Sequence, residues 1–394
     1  MVSDFKYYTP TEVRFGRNTA NLTGELAAKY GAKRVLVHYG MGSVVRSGLL
    51  DIVKKSLDDA GIYHIELGGA VPNPRLGLVY EGIELCKREN IDFIIAVGGG
   101  SAVDSAKAIG YGLAGEGDVW DYYDMKRVPE VCAPIGVVIT LAATGSEMSN
   151  SSVITNEDGM NKRGINYDCS RPRFAVMAPA LTMTLPDYQT QSGCVDILMH
   201  TLERYFDVSG SMELTDQLCE ALLRTVMKNA LILHDDPLNY DARAEVLWAG
   251  SLSHNGLMHC GRGLGDWTCH KMEHELGGMF DVAHGAGLAA IWATWARYVL
   301  DTDVSRFSRL AKNVLDIPEQ EDERQTALLG IDAMESFFKS IDMPTNLRTL
   351  GIDPTDEQFS LLAKKCITAC GGKYCGHFKL LDLSDVERIY RAAY

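Results

Sequence analysis

The chain has 394 residues, 46% hydrophobic and 23% charged, a composition that supports two domains, each with its own core, and excludes extended disorder. Its net charge of −14 argues against nucleic acid or an anionic membrane surface as a main partner, because both reward clustered Lys and Arg. MVSDFKYYTPTEV holds no signal-peptide run and no segment approaches the roughly 18 apolar residues of a membrane span, so a cytoplasmic protein with ten reduced, mostly buried cysteines is expected.

In chain order, KRVLVHYG (33–40) predicts a strand followed by an amphipathic helix around Leu49 to Leu57. IYHIEL (62–67) leads through the turn VPNP to a helix ending near Glu89, and IDFIIAV (91–97) runs through GGGS into another helix. PIGVVITL (134–141) and FAVMAP (174–179) supply further strands. Continuous apolar strands spaced by helices predict a parallel sheet covered on both faces. Past Pro186 the strand-like runs stop: Leu214, Leu218, Leu222, Val226 and Ala230 step by four along one face, and 241–257, 286–299, 322–340 and 355–369 show the same periodicity. The expected organisation is an α/β domain over 1–187 and an all-helical domain over 188–394.

VGGGSAVDSAK (97–107) lies where a strand ends and a helix begins, where glycines let backbone N–H groups approach a phosphate. It matches neither G-x-G-x-x-G nor the P-loop, and Ser101 with Asp104 also reads as an S-x-x-D capping box. A second glycine turn, YGMGS (39–43), carries no acidic side chain for a ribose, while Gly40, Gly42 and Ser43 offer donors and Arg46 lies one turn on. That arrangement predicts NADP(H) in preference to NAD(H); a plain βα turn is the alternative.

Asp196 and His200 sit at i and i+4 on one predicted helix face, and His270 and His274 repeat the spacing. His284 follows after GGMFDVA, whose two glycines are expected to end the second helix. Three imidazoles and one carboxylate from these segments form a nitrogen and oxygen set suited to Fe(II) or Zn(II). The zinc-protease pattern H-E-x-x-H is absent, and His38, His64, His234, His254, His259 and His377 receive no role. Cys366, Cys370 and Cys375 lack the paired spacing of a zinc ribbon.

VPNPR (71–75), VGGGSAVDSAK, TLAATGSEMS (140–149), the run from Asp196 through HTLE, CHKMEHEL and DVAHG occur in an order that resembles the iron-containing, or group III, alcohol dehydrogenases, most closely the NADPH-dependent butanol dehydrogenase branch. The likeness implies a Rossmann-like, dehydroquinate synthase-type dinucleotide domain followed by a helical metal domain. It implies Asp196, His200, His270 and His284 as metal ligands and places His274 near nicotinamide and substrate. It further implies Gly99, Gly100 and Ser101 as the pyrophosphate cradle, Asp104 near the nicotinamide end, Asn73 on the adenine side, and Thr140, Leu141, Thr144 and Lys162 as further cofactor contacts. Met41 departs from the G-G-G-S common there in the NADPH branch. The implied activity is hydride transfer between NAD(P)(H) and a short-chain primary alcohol or aldehyde, in a homodimer paired through an N-terminal strand within residues 5–16. A polyol dehydrogenase, a lyase of the same architecture and a metallohydrolase are the alternatives.

Overall fold

The structure is a computed structural model that describes residues 2–208, 210 and 212–394. Packing divides the chain into one unit over Tyr8–Leu185 and a second made of Pro186–Tyr394 with the segment up to Tyr7. The opening residues, expected in the α/β half, belong instead to the helical unit, where the Ser3 amide donates to the Gly261 carbonyl at 3.1 Å.

The first unit contains eight strands among the described residues: β1 Glu12–Phe15, β2 Arg34–Gly40, β3 Tyr63–Ala70, β4 Phe93–Gly98, β5 Ile135–Ile139, β6 Ser151–Asn156, β7 Asn161–Asn166 and β8 Phe174–Met177. Six form one sheet in the order β1-β8-β5-β4-β2-β3, with every pairing parallel. Alternate side chains point to opposite faces. Val35, Val37, Ile95, Val97 and Val176 pack with Leu26, Leu49, Val53 and Leu57, while Leu36, Ile94 and Ala96 are fully buried on the other face. Burying each such aliphatic side chain contributes about 1.5–3 kcal/mol, which is why these strands read as unbroken apolar runs.

The chain order places a topological switch beside β4. From β2 the sheet grows through β3 to one edge, whereas from β4 it grows through β5 and β8 to the other. Tyr39 is in register with Val97, so the turns after β2 and β4 emerge at neighbouring strand ends, the position where open α/β sheets bind ligands. His38 lies one residue earlier on β2 and is fully buried. Its Nδ1 sits 2.9 Å from the Leu67 carbonyl and its Nε2 2.9 Å from Ser105 Oγ. The carbonyl can only accept, so Nδ1 carries the proton and Nε2 accepts from the hydroxyl. β6 and β7 form an antiparallel hairpin that the sequence reading did not foresee.

In the helical unit the helix His284–Val299 runs through the core, with Trp292 and Trp295 fully buried. Phe206 and Phe307 meet at 4.4 Å between ring centroids beside Trp295. The C-terminus of the helix Asp187–Tyr205 is fixed by buried cations: Arg306 Nε donates to the Tyr205 carbonyl at 2.7 Å, and Arg306 and Arg262 both donate to the buried Asp216 carboxylate. The helix Thr268–Phe280 continues beyond the glycines expected to end it. Gly277 and Gly278 are buried within it, and Asp281 takes the left-handed conformation (φ +54°) that closes a helix. All ten cysteines are thiols, and no helix among the described residues is long and apolar enough to cross a membrane.

Candidate active site

At the switch point Gly98 ends β4 and Gly100 opens the helix Gly100–Ala114, whose first N–H groups point out of its N-terminus. A Cβ built on Gly100 would stand 2.4 Å from Thr144 Oγ1, and one on Gly99 3.3 Å from Leu141 Cβ. Only glycine lets the segment after β5 lie this close to the turn, and it brings Gly99, Gly100, Ser101, Thr140, Leu141 and Thr144 together; the Thr140 amide donates to the Gly98 carbonyl at 3.0 Å. Gly40 ends the adjacent strand β2, and Gly42 and Ser43 follow it, with Met41 75% exposed. Asn73, buried at φ +53°, lies in the loop after β3. That loop is tied to the hairpin where the Thr155 amide donates to the Pro74 carbonyl at 2.8 Å, and Thr155 is paired in register with Lys162.

One reading of this segment needs correction. The helix begins from Gly99 without a side-chain cap, so the Ser101–Asp104 capping box does not form. Asp104, expected toward nicotinamide, is buried: Oδ1 accepts from Ser146 Oγ at 2.6 Å and Oδ2 from the Val153 amide at 3.1 Å. Its carboxylate docks the hairpin onto the helix. The fully buried Lys107 does the same, donating to the carbonyls of Ser146, Ser149 and Ser151 at 2.7–3.0 Å, and burial pulls its pKa down to about 8.

In the helical unit the four side chains implied as ligands come together. Asp196 Oδ1 lies 3.4 Å from His200 Nδ1, 3.6 Å from His270 Nε2 and 3.6 Å from His284 Nε2. Ligands bound at about 2.0–2.1 Å around one tetrahedral zinc stand about 3.4 Å apart, so these separations suit a shared cation better than hydrogen bonds. Asp196 Oδ1, His200 Nδ1 and His270 Nε2 are buried without a hydrogen-bond partner among the described residues. An unsatisfied buried polar atom costs about 1–3 kcal/mol, so three around one carboxylate are costly unless an ion joins them; Asp196, His270 and His284 have donor atoms all within 4.8 Å of one another, with His200 beside Asp196. On this test the residues fit a divalent cation.

Carboxylates behind the imidazoles fix their orientation. His270 Nδ1 donates to Glu203 Oε2 at 2.6 Å, and Glu203 Oε1 accepts the His270 amide at 3.0 Å. His284 Nδ1 donates to Glu273 in the same way. Each bond puts the proton on Nδ1 and leaves the Nε2 lone pair facing Asp196. Burial and then the neighbouring His254, His270 and Arg204 hold His200 well below the usual imidazole range, in the neutral form that a ligand requires. Burial alone would lower His270, but Glu203 and Asp196 outweigh it and raise it to about 9; the carboxylates that hold a proton there equally favour a cation.

His274 is half-buried with its ring 5.8 Å from that of His284, and its donor nitrogen lies within 4.8 Å of donor atoms of Glu273 and His284 rather than in the set around Asp196. Glu203, Glu273 and His254, whose ring lies 4.2 Å from that of His200, were given no part by the sequence reading. The signal for Glu203 was present, because Asp196, His200 and Glu203 fall at i, i+4 and i+7 on one helix face. Trp267 takes φ +64° before the first turn of the helix carrying His270, its ring 5.3 Å from that imidazole. Leu276, on the same helix, is fully buried in the core.

Comparison with known proteins gives one family match in each half of the chain. The description "Iron-containing alcohol dehydrogenase" matches residues 10–179, and "Fe-containing alcohol dehydrogenase family, C-terminal" matches residues 190–394. The chain belongs to the iron-containing alcohol dehydrogenase family. It is therefore an NAD(P)-dependent oxidoreductase of the iron type. Within this family it is 40% identical over 393 residues to the probable NADH-dependent butanol dehydrogenase 2 of Bacillus subtilis, covering all of both chains. It is 32% identical to the NADPH-dependent aldehyde reductase YqhD of Escherichia coli, again over the whole of both. Among solved structures, the NADH-dependent butanol dehydrogenase A of Thermotoga maritima superposes with a TM-score of 0.95 at 36% identity, covering 100% of this chain and 99% of that one.

Proposed function

We propose that this alcohol dehydrogenase interconverts short-chain primary alcohols such as butanol and their aldehydes, with Asp196, His200, His270 and His284 holding one Fe(II) or Zn(II) ion. The observation that carries the reading is the set of three buried, unpartnered atoms on Asp196, His200 and His270. When bound, the ion supplies Lewis acidity to an alcohol or carbonyl oxygen and the nicotinamide supplies or takes the hydride. Glu203 and Glu273 keep His270 and His284 in the tautomer that presents Nε2. Trp267 and Phe280, both half-buried, give the substrate's alkyl chain an apolar wall. His274, the imidazole left outside the ligand set, carries the substrate proton toward solvent. Gly99, Gly100 and Ser101 hold the pyrophosphate, with Asn73, Thr140, Leu141, Thr144 and Lys162 as further contacts.

For the coenzyme we propose NADP(H) over NAD(H). β2 ends without a carboxylate, Met41 points to solvent, and a Cβ on Gly42 would lie 3.2 Å from Arg46 Nη1, so a cation stands beside the glycine turn where it would meet a 2′-phosphate. The B. subtilis and T. maritima relatives are named NADH-dependent and the less similar E. coli relative NADPH-dependent, so the names weigh against this assignment and the turn alone supports it. The homodimer of this reading pairs at β1, the edge strand of the sheet, and light scattering tests it.

The decisive experiment is an initial-rate panel of aldehydes with NADPH and NADH, on metal-free protein reconstituted with each ion. One nicotinamide oxidised per aldehyde consumed supports the dehydrogenase reading; metal-dependent hydrolysis without change in nicotinamide absorbance would establish a hydrolase instead. A higher kcat/KM with NADH than with NADPH refutes the coenzyme assignment, and Arg46→Ala should lower the NADPH to NADH ratio about tenfold, the worth of one charge-assisted hydrogen bond.

A further inference from the structure

A second cluster of donor atoms lies in the helical unit, in the sequence CITACGGKYCGH. Cys366 occupies the last turns of the helix Asp356–Ala369 and Cys370 is its C-cap, so the two sulfurs stack four residues apart on one face. Gly371 and Gly372, at φ +92° and +89°, turn the chain back on itself. Cys375 is then held by paired backbone hydrogen bonds of 2.9 Å in each direction with Leu381. The outcome is that Cys366, Cys370 and Cys375 place their sulfurs within 4.8 Å of one another, with Cys366 and Cys375 at 3.8 Å.

Zinc binds thiolate at about 2.3 Å, so two sulfurs on one tetrahedral zinc stand about 3.8 Å apart. A disulfide would need about 2.05 Å. Cys366 and Cys375 are buried, whereas Cys370 is half-exposed beside the exposed Gly371 and Gly372, which gives an ion a way in from solvent. We propose that Cys366, Cys370 and Cys375 form a second metal site, a three-thiolate centre for zinc with its fourth position open toward solvent at Cys370. It is chemically distinct from the Asp196 centre: soft sulfur donors select zinc, while the nitrogen and oxygen set also accepts Fe(II). Each thiol that binds the ion as thiolate releases its proton.

The site also has a structural consequence for the rest of the unit. Asp266 is fully buried and accepts the amides of His377 and Phe378, at 3.0 and 2.8 Å, on Oδ1. Its Oδ2 accepts the Thr268 amide at 3.1 Å, at the start of the helix that carries His270. Two residues beyond Cys375 the thiol loop is thus fastened to that helix, and zinc at the thiols anchors the loop that braces it.

Cobalt(II) titration of reduced, metal-free full-length protein tests the proposal. Wild type is expected to take up two equivalents, one of them giving the intense near-ultraviolet absorption of thiolate bound to cobalt, and zinc should abolish that band. His270→Ala should keep the band and lose the other equivalent, so the result does not depend on the proposed function. Cys370→Ser and Cys366→Ala should each lose the band and keep one equivalent. Absence of the band from wild type overturns the proposal without any variant, whether the thiols stay reduced or pair as a disulfide; its survival in Cys370→Ser and Cys366→Ala overturns the assignment to these residues.

Discussion

Acidification from pH 7 to pH 5 should destabilise the sheet unit through one side chain, His38. Burial holds this imidazole at about 4, against 6.5 when unperturbed, although its bond to the Leu67 carbonyl pulls the other way. The folded state therefore binds fewer protons than the unfolded chain between these values, and stability falls as pH drops through that window. The stabilisation is fully present above 6.5 and fully lost below about 4. The whole gap corresponds to about 3.4 kcal/mol, of which about 2 kcal/mol is lost between pH 7 and pH 5. Other groups titrate in the same range, so the informative quantity is the difference between wild type and His38→Asn, whose amide can still donate to the Leu67 carbonyl but does not titrate. The variant should be less stable at pH 7 by about 1–2 kcal/mol, because Ser105 loses its partner, yet should lose less stability on acidification. Urea unfolding followed by circular dichroism at a series of pH values measures both. Parallel pH curves for the two proteins, or a His38 imidazole titrating near 6.5 by NMR, would refute the reasoning.

Three further outcomes are expected. Glu203→Gln should weaken metal binding about 10–100-fold in chelator competition, because His270 loses the carboxylate that orients it; an unchanged affinity removes that role. Gly100→Ala should cost about 1–3 kcal/mol of stability and weaken nucleotide binding measured calorimetrically, since its Cβ would stand 2.4 Å from Thr144 Oγ1. His274→Ala should retain full metal content while kcat falls about 10²–10⁴-fold and its pH profile changes shape, and an unaltered profile excludes proton transfer through this residue.

The parts of the fold legible in the sequence were those whose burial leaves a local signature. β2, β4, β5 and β8 are covered on both faces and so read as unbroken apolar runs. The hairpin escaped because SSVITN and NKRGIN are polar: Lys162 is buried against its surroundings by tertiary packing, and no alternation of hydrophobicity marks the strands. Asp196 with His200 and His270 with His274 could be paired by helical spacing, but which imidazoles gather at Asp196 depends on how three helices pack. The partners Glu203 to His270 and Asp104 to Ser146 span 67 and 42 residues, distances at which spacing carries no information. The thiol cluster failed for a different reason: its spacing matches no paired motif, and two consecutive left-handed glycines bring the sulfurs together.

The chain passes between its two units twice, after Tyr7 and again after Leu185. During synthesis Ser3 is therefore made well before its place exists, since its amide has no partner until residue 261 has been made. Removing Val2 and Ser3 would be felt not in the strand that follows them in sequence but more than 200 residues further along the chain, around Gly261 and Met212, beside which Val2 lies.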